Sequence, residues 1–406
     1  MPIFKEIPPT SGWKFNAKDL FLRPATLNLE EDFKNYLGVS DVFVTYSGTA
    51  ALYLIFESLK KISSKKTVVI PSYTCPLVAL AALKAGLHVK VCDINRDSFD
   101  FNYDRLKALC SADNDILAIV AIHLAGMAVD FDRIKEITEP HKIFTIEDCA
   151  HALGAKYKEK KCGTLGDFSF FSLCRGKGLT IYEGGVLAVN TKEYSSIVES
   201  TIKETIHRNY FSEAVKIIEL VGYWIFYRPL LFWFVFKLPQ AFWNIGKNAT
   251  KAFGEEYDAD FDTHAVSGFR KFIGHQSFYR LEKEISRQRE RALSYIKVLS
   301  AIKGIKILQE SPNTYAAYPF LVILFDDVEK REEALKKINN YGLGASIVYL
   351  NSICDYDYLK NAIDCVFCEN ARSLARRQLT LSTNSFLKTK DIEFVVDVLK
   401  ELMNGR

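Results

Sequence analysis

In the stretch FFSLCRGKGLTIYEGG, residues 170–185, an apolar, strand-like run leads into Lys177, held between Gly176 and Gly178. A lysine amine attacks or takes a proton only when neutral, and glycines on both sides let the backbone bend sharply towards a bound group. Two further stretches carry chemistry. FTIEDCAHALGA ends an apolar run in the carboxylate of Asp148, and His151 follows three residues later, one turn on if that segment is helical. In Tyr46-Ser47-Gly48-Thr49-Ala50 two hydroxyls and the free N–H groups of a helix start converge, as a plain N-cap or as a cradle for an anion. Each alone has an ordinary reading: a surface lysine in a turn, an acid capping a helix, a hydroxyl capping another. Together they offer an amine for an aldehyde, a carboxylate for a ring nitrogen and donors for a phosphate, which are the needs of pyridoxal 5'-phosphate.

The elements that must position these groups read as α/β. Short β-rich runs at 42–45, 68–70, 89–92, 117–122, 143–146 and 168–173 alternate with helical patterns, such as Leu52, Ile55, Phe56 and Leu59. That order predicts a mainly parallel sheet with helices on both faces and ligands at the carboxyl ends of its strands. From Glu282 the pattern changes to a long polar helix, the run AYPFLVILF, a helix from Lys330, a short strand near Ser346 and a last helix after Lys390, a smaller α+β domain. The division expected is an arm at 1–27, a large domain at 28–260 and a small one at 261–406.

Composition narrows the function. With 406 residues, 49% of them hydrophobic and 13% aromatic, the chain can bury a large core. A net charge of +4 and the lack of any zinc-finger, helix-turn-helix or aromatic RNA-binding signature argue against nucleic acid as partner. The N-terminal MPIFKEIPPTSGWKF lacks the order of a secretory signal, so a cytoplasmic location is expected. Nine scattered cysteines suit reduced thiols better than a disulfide framework, and the lone pair Cys365 and Cys368 lacks the second pair of a zinc site, so no metal is expected.

The segments YSGTAALYL, VVIPSYTCPLVALAALKAGLHVKVCDI, AIHLAGMAVDFDRI, IEDCAHALGAKYKEKKCGTLGDFSFFS and KGLTIYEGGVLAVN resemble, in order, the DegT/StrS sugar aminotransferases, fold-type I enzymes dependent on pyridoxal phosphate. The resemblance implies a large seven-stranded-type sheet domain and a homodimer. It also implies residue roles: Lys177 bonds the aldehyde and shuttles a proton, Asp148 pairs with the pyridine nitrogen, His151 lies near the ring's phenolic oxygen, and Gly48, Thr49 and Ser172 hold the phosphate. The reaction implied takes an amino group from a donor, commonly glutamate, to a keto sugar, nucleotide-linked or lipid-linked, in amino-sugar or cell-surface glycan synthesis. Related sugar dehydratases carry histidine in place of the lysine, and a non-catalytic regulator on this fold would have lost Lys177 or Asp148; the sequence has kept both.

Three departures stand out. Where relatives stack an aromatic residue on the cofactor, two positions after Tyr73, this chain has Cys75, leaving Tyr73 as a substitute. An asparagine that reaches the partner subunit's phosphate has no match in THAVSGFRKFIGHQ, where Ser267, Arg270 or Lys271 could serve. Between Asn209 and Tyr257 lies an unusually aromatic, apolar insert whose core runs from Ile217 to Trp243. Glu219, Arg228 and Pro229 interrupt it, which rules against a membrane span. Two readings remain: a buried hairpin at a dimer interface, or a surface element on the inner face of a membrane. In the second, Trp224, Trp233 and Trp243 sit at headgroup depth and Lys216, Arg228, Lys237 and Lys247 meet anionic lipid.

Overall fold

The computed structural model describes residues 5–14, 19, 28–239, 255, 257–258 and 260–404. Its centre is a sheet of strands β1 (Asp41–Thr45), β2 (Thr67–Pro71), β3 (His88–Cys92), β4 (Ile116–Ile122), β5 (Phe144–Asp148), β8 (Phe168–Ser172), β9 (Gly185–Val189) and β13 (Asp364–Cys365). Their order is β1-β9-β8-β5-β4-β2-β3-β13, with β9 antiparallel to both its neighbours and the remaining pairs parallel. A sheet covered on both faces needs apolar residues on both, and β4, ILAIVAI, is buried at all seven positions. Helix α2 (Gly48–Ile62) packs on one face through Leu52, Ile55, Phe56 and Leu59. Phe33, Leu106 and Ile134 pack in the cluster on the other.

The sheet thus holds the seven strands expected and a two-residue eighth, β13, which returns from the C-terminal part of the chain to pair with β3. Cys365 of this strand is bonded to Cys354. This corrects the expectation of reduced thiols throughout: the odd cysteine count leaves seven free, and the fold brings this pair together across a separation of 11 residues. A second sheet, β10 (Ile305–Leu308), β12 (Phe320–Phe325) and β14 (Gln378–Ser382), is antiparallel, and the helices Leu281–Leu299 and Thr389–Asn404 bury Tyr295, Leu299, Val395 and Leu399 in the same core. The strand expected near Ser346 is reduced to a single bridge to Thr380. A small third sheet joins β11 (Thr314–Tyr315), β6 (Lys156–Tyr157) and β7 (Lys160–Lys161).

The insert folds as α7 (Tyr210–Phe226) and, after Arg228 and Pro229, a shorter helical stretch, Pro229–Phe232, that runs on as a π-helical turn, Trp233–Lys237. Proline opens the second segment, as suits the first turn of a helix, and the two are bent by 115°. Among the described residues no single helix is long and apolar enough to cross a membrane. The inner side of the pair buries Leu220, Tyr223 and Tyr227 against Phe272 and Ile273. Its outer side leaves Phe211, Ile218, Leu230, Val235 and Leu238 exposed.

Candidate active site

A cavity of about 660 Å³ opens beyond the carboxyl ends of β4, β5 and β8. Every residue singled out for chemistry, Gly48, Thr49, Cys75, Asp148, His151, Ser172 and Lys177, lines it.

Lys177 sits in the loop between β8 and β9. Gly176 takes the left-handed conformation that glycine favours, at φ +80°, and the Lys177 N–H turns back to the Cys174 carbonyl at 3.1 Å. The N-terminal arm pins the loop on both sides: the Thr10 hydroxyl donates to the Gly176 carbonyl at 2.5 Å, and the Trp13 N–H to that of Gly178 at 3.0 Å. The Lys177 amine makes no hydrogen bond or ion pair with the described residues. Burial pushes its pKa down, opposed by the nearby Cys174, Cys75 and Asp148, so the neutral amine is easier to reach than for a lysine in water.

Asp148 ends β5, and its Oδ1 accepts from the Ala150 N–H at 2.8 Å. Burial pushes the carboxyl up to about 6, against the opposing pull of that N–H, of Lys177 and of His123. Its neighbour Glu147 points elsewhere: the carboxylate accepts from the N–H groups of Gly163, Leu165 and Gly166 at 2.6–2.8 Å. His123 Nδ1 accepts from the Val129 N–H at 3.2 Å, so its Nε2 carries the proton and donates to Glu147 at 3.0 Å. His123, Glu147 and Cys149 cluster closely enough for a metal. Those hydrogen bonds commit the histidine and the carboxylate, and the cluster serves as the anchor beneath Asp148.

His151 reaches the cavity by a route different from the one expected. Residues after β5 form a tight turn, closed by the Ala152 N–H to the Cys149 carbonyl at 2.9 Å, instead of a helix. The imidazole stands edge-on to Phe320 at 5.2 Å, and burial with Lys177 close by holds its pKa well below the usual value, leaving it neutral.

Opposite, Gly48 and Thr49 open α2 under the cap Ser47, whose hydroxyl accepts from the Ala50 N–H at 3.0 Å. The first N–H groups of a helix have no carbonyl a turn back to bond, so those of Gly48 and Thr49 remain as donors beside the Thr49 and Ser172 hydroxyls. Gly185 makes this arrangement possible. A Cβ there would stand 2.3 Å from the Ser47 oxygen and 2.5 Å from the Gly48 nitrogen, so only glycine lets β9 run this close to the helix start.

Cys75 caps α3 (Pro76–Lys84) and lines the cavity, its thiol pushed up to about 11 by burial. Tyr73 does not replace the missing aromatic residue. Its ring lies parallel to Phe99 at 6.1 Å and its hydroxyl donates to the Tyr349 carbonyl at 2.9 Å, away from the cavity. The three substitutes for the asparagine are likewise committed: Ser267 caps the helix Gly268–Phe278, Arg270 pairs with buried Glu213, and Lys271 pairs with Glu30. Tyr257, Phe320, Tyr349, Thr10 and Arg175 line the cavity without having been singled out from the sequence. Arg175 stands two positions before Lys177, the one signal that was within reach; the others arrive from distant segments.

An unpaired, half-buried amine, a buried carboxylate and a hydroxyl-rich helix start around one cavity fit pyridoxal 5'-phosphate in all three of its demands. Comparison with known proteins bears on the same point. A sequence model of the DegT/DnrJ/EryC1/StrS aminotransferase family matches residues 14–223 and 267–400. The UDP-4-amino-4,6-dideoxy-N-acetyl-beta-L-altrosamine transaminase of Campylobacter jejuni is 27% identical over 376 residues, 92% of this chain and 88% of that protein. The GDP-perosamine synthase of Caulobacter vibrioides is 32% identical over 170 residues, 42% of this chain and 45% of that one. Among solved structures, Spr1654 from Streptococcus pneumoniae in its PLP-form superimposes with a TM-score of 0.76 at 18% identity, covering 98% of this chain and 99% of its own.

Proposed function

The chain belongs to the DegT/DnrJ/EryC1/StrS aminotransferase family, and from that premise we propose that it binds pyridoxal 5'-phosphate and moves an amino group from glutamate to a keto sugar. The sugar is carried on a nucleotide or a lipid, and the product feeds amino-sugar or cell-surface glycan synthesis. The observation that carries this reading is Lys177: a half-buried, unpaired amine facing Asp148 across a cavity whose far wall is the start of α2.

When bound, the cofactor supplies an electron sink and an aldehyde carbon for amino exchange. Lys177 takes the proton from the donor's α-carbon and returns it in the opposite half-reaction, a task that burial helps by lowering its pKa. Asp148 holds a proton at the ring nitrogen, and the positive charge placed there lowers its own raised pKa in return. His151, neutral, offers one N–H to the ring oxygen. The Gly48 and Thr49 N–H groups and the Thr49 and Ser172 hydroxyls take the phosphate.

The enzyme works as a homodimer, as its family resemblance implies, in the cytoplasm on the inner face of a membrane. The outer side of the insert supports the membrane contact: Phe211, Ile218, Leu230, Val235 and Leu238 are exposed beside Arg228, whose guanidinium pairs with no acid among the described residues. The cation set is smaller than the sequence suggested. Lys216 is paired with Glu183 and Glu219, and Lys237 with Glu6; Trp243 and Lys247 lie outside the described residues.

The visible absorption of the protein loaded with pyridoxal phosphate tests the catalytic reading. A band that borohydride fixes to Lys177 and that glutamate bleaches is expected; no band would sink it. Flotation with anionic liposomes tests the membrane contact, and protein left at the bottom of the gradient would refute it.

A further inference from the structure

Beside the active-site cavity lies a second one of about 450 Å³, and Pro9, Thr10 and Arg175 border both. Its other walls are largely aromatic. The Tyr223 and Tyr227 rings stack at 4.4 Å, and those of Phe232 and Phe236 at 5.0 Å. The wall formed by Phe226, Tyr227, Phe232, Val235 and Phe236 falls within residues 224–266, which the family model leaves unmatched. This part of the annex therefore lies outside the sequence shared with the family model.

Three observations say what it takes. First, Arg175 stands at the junction of the two cavities, its guanidinium 5.7 Å from the Tyr182 ring and without a hydrogen bond or ion pair among the described residues. Two acids, Glu183 and Glu219, act on its charge, but both carboxylates are paired with Lys216, at 2.7 and 2.9 Å, so the Arg175 guanidinium keeps its N–H groups for an anion. Second, two of the hydroxyls lining the annex are already engaged, which leaves less for the polar edge of a nucleobase. The Thr10 hydroxyl donates to Gly176, and the Tyr227 hydroxyl accepts from Asn384 at 2.9 Å and lies 3.4 Å from the Thr10 carbonyl. Third, Gly222, in the body of α7, also lines the annex, and a Cβ there would meet nothing within 4 Å. A glycine inside a helix is unfavourable, and here it leaves room on the cavity side.

We propose that the annex holds the apolar chain of a lipid-phosphate carrier on which the acceptor sugar is presented, with Arg175 taking the phosphate between sugar and chain. The sugar then lies over Lys177, and the chain leaves past Phe226 and Val235, which both line the annex and belong to the exposed apolar face of the insert. The proposal rests on the aminotransferase reading above and names the carrier of its acceptor.

Farnesyl phosphate, below its micelle concentration, and uridine diphosphate are the probes, each titrated calorimetrically into cofactor-loaded protein. Farnesyl phosphate should bind wild type and Gly222→Ala, whose added methyl is too small to fill the annex. Gly222→Leu and Arg175→Gln should each weaken it at least ten-fold while melting at the wild-type temperature. No binding of farnesyl phosphate, an unchanged constant in Gly222→Leu, or loss of uridine diphosphate binding in that variant would overturn the proposal, the last by giving the annex to a nucleoside. Bleaching of the wild-type band by glutamate is run alongside. If it occurs and farnesyl phosphate fails, the annex proposal alone falls; if it does not occur, both readings fall.

Discussion

Replacing Gly185 by alanine adds one methyl group at the tightest point of the cofactor cradle. The new Cβ would stand 2.3 Å from Ser47 O, 2.4 Å from Ser47 C and 2.5 Å from Gly48 N, all of them backbone atoms. Carbon contacts are optimal at roughly 3.5–4.0 Å, so the two segments must part by about 1 Å. β9 cannot yield alone, because Gly185 is in register with Thr45 on one side and Ser172 on the other. The displacement therefore falls on the start of α2, where the Gly48 and Thr49 donors sit. Overpacking of this kind costs about 1–3 kcal/mol. Borne by the cofactor-bound state, that is a loss of about 5- to 150-fold in affinity for pyridoxal phosphate. Titration of the visible band measures the affinity, and a thermal melt measures any share of the cost taken by the fold. Gly178→Ala is the comparison: its Cβ would meet only Trp13 ring atoms, at 3.1–3.2 Å, and a side chain can give way. Gly185→Ala protein that binds the cofactor as tightly as wild type and melts at the same temperature would refute the argument.

Lys177→Ala should bind the cofactor without the borohydride-fixable band and lose amino transfer by several orders of magnitude, read by stopped-flow absorbance with glutamate. Asp148→Asn should stabilise the cofactor-free protein. A carboxyl raised from the ordinary 3.8 to about 6 keeps its proton in the native state at pH values where the unfolded chain has lost it. Stability therefore falls as pH rises from about 4 to about 6, by about 3 kcal/mol in all. The variant should melt above wild type at about pH 7.5 and level with it below about pH 4; equal melting at both would remove the premise. Opening the Cys354–Cys365 bond frees a loop with a separation of 11 residues, and loop entropy puts the loss at about 3 kcal/mol. A melt with and without dithiothreitol checks this, with Cys365→Ser as the second arm.

What the sequence disclosed of the site was local. Lys177 is flanked by its own glycines, Asp148 ends its own apolar run, and Gly48 and Thr49 follow a strand and begin a helix, so each carried its punctuation beside it. Tyr349, Phe320 and Thr10 belong to the small-domain segments and the arm, and no periodicity ties them to residues more than a hundred positions away. Tyr73 failed as a ring partner for a related reason. Its backbone neighbourhood matched the family, but its hydroxyl is bound to Tyr349, a contact that exists only once the two parts of the chain meet. The cysteine count misled because pairing Cys354 with Cys365 depends on β13 joining the large sheet. Strand β9 went unread between two glycines and a polar turn, although its closeness to α2 shapes the phosphate cradle. The insert was legible as apolar; its bend, and hence the annex, is set by where Arg228 and Pro229 fall.

The arm over the Lys177 loop bears on the order in which the molecule is made. Residues that pin the loop are synthesised long before those that hold them: the Ser382 hydroxyl donates to the Pro8 carbonyl at 2.6 Å, and the Asn384 amide to that of Thr10 at 2.7 Å. Contacts spanning 374 residues form late and slowly. On the ribosome, all of the large sheet but β13 can be assembled long before residue 384 emerges, while the catalytic lysine still lacks its clamp. Completion of the clamp is thereby deferred until the segment around Ser382 and Asn384 has docked, and a nascent chain carries most of the large sheet without a finished site.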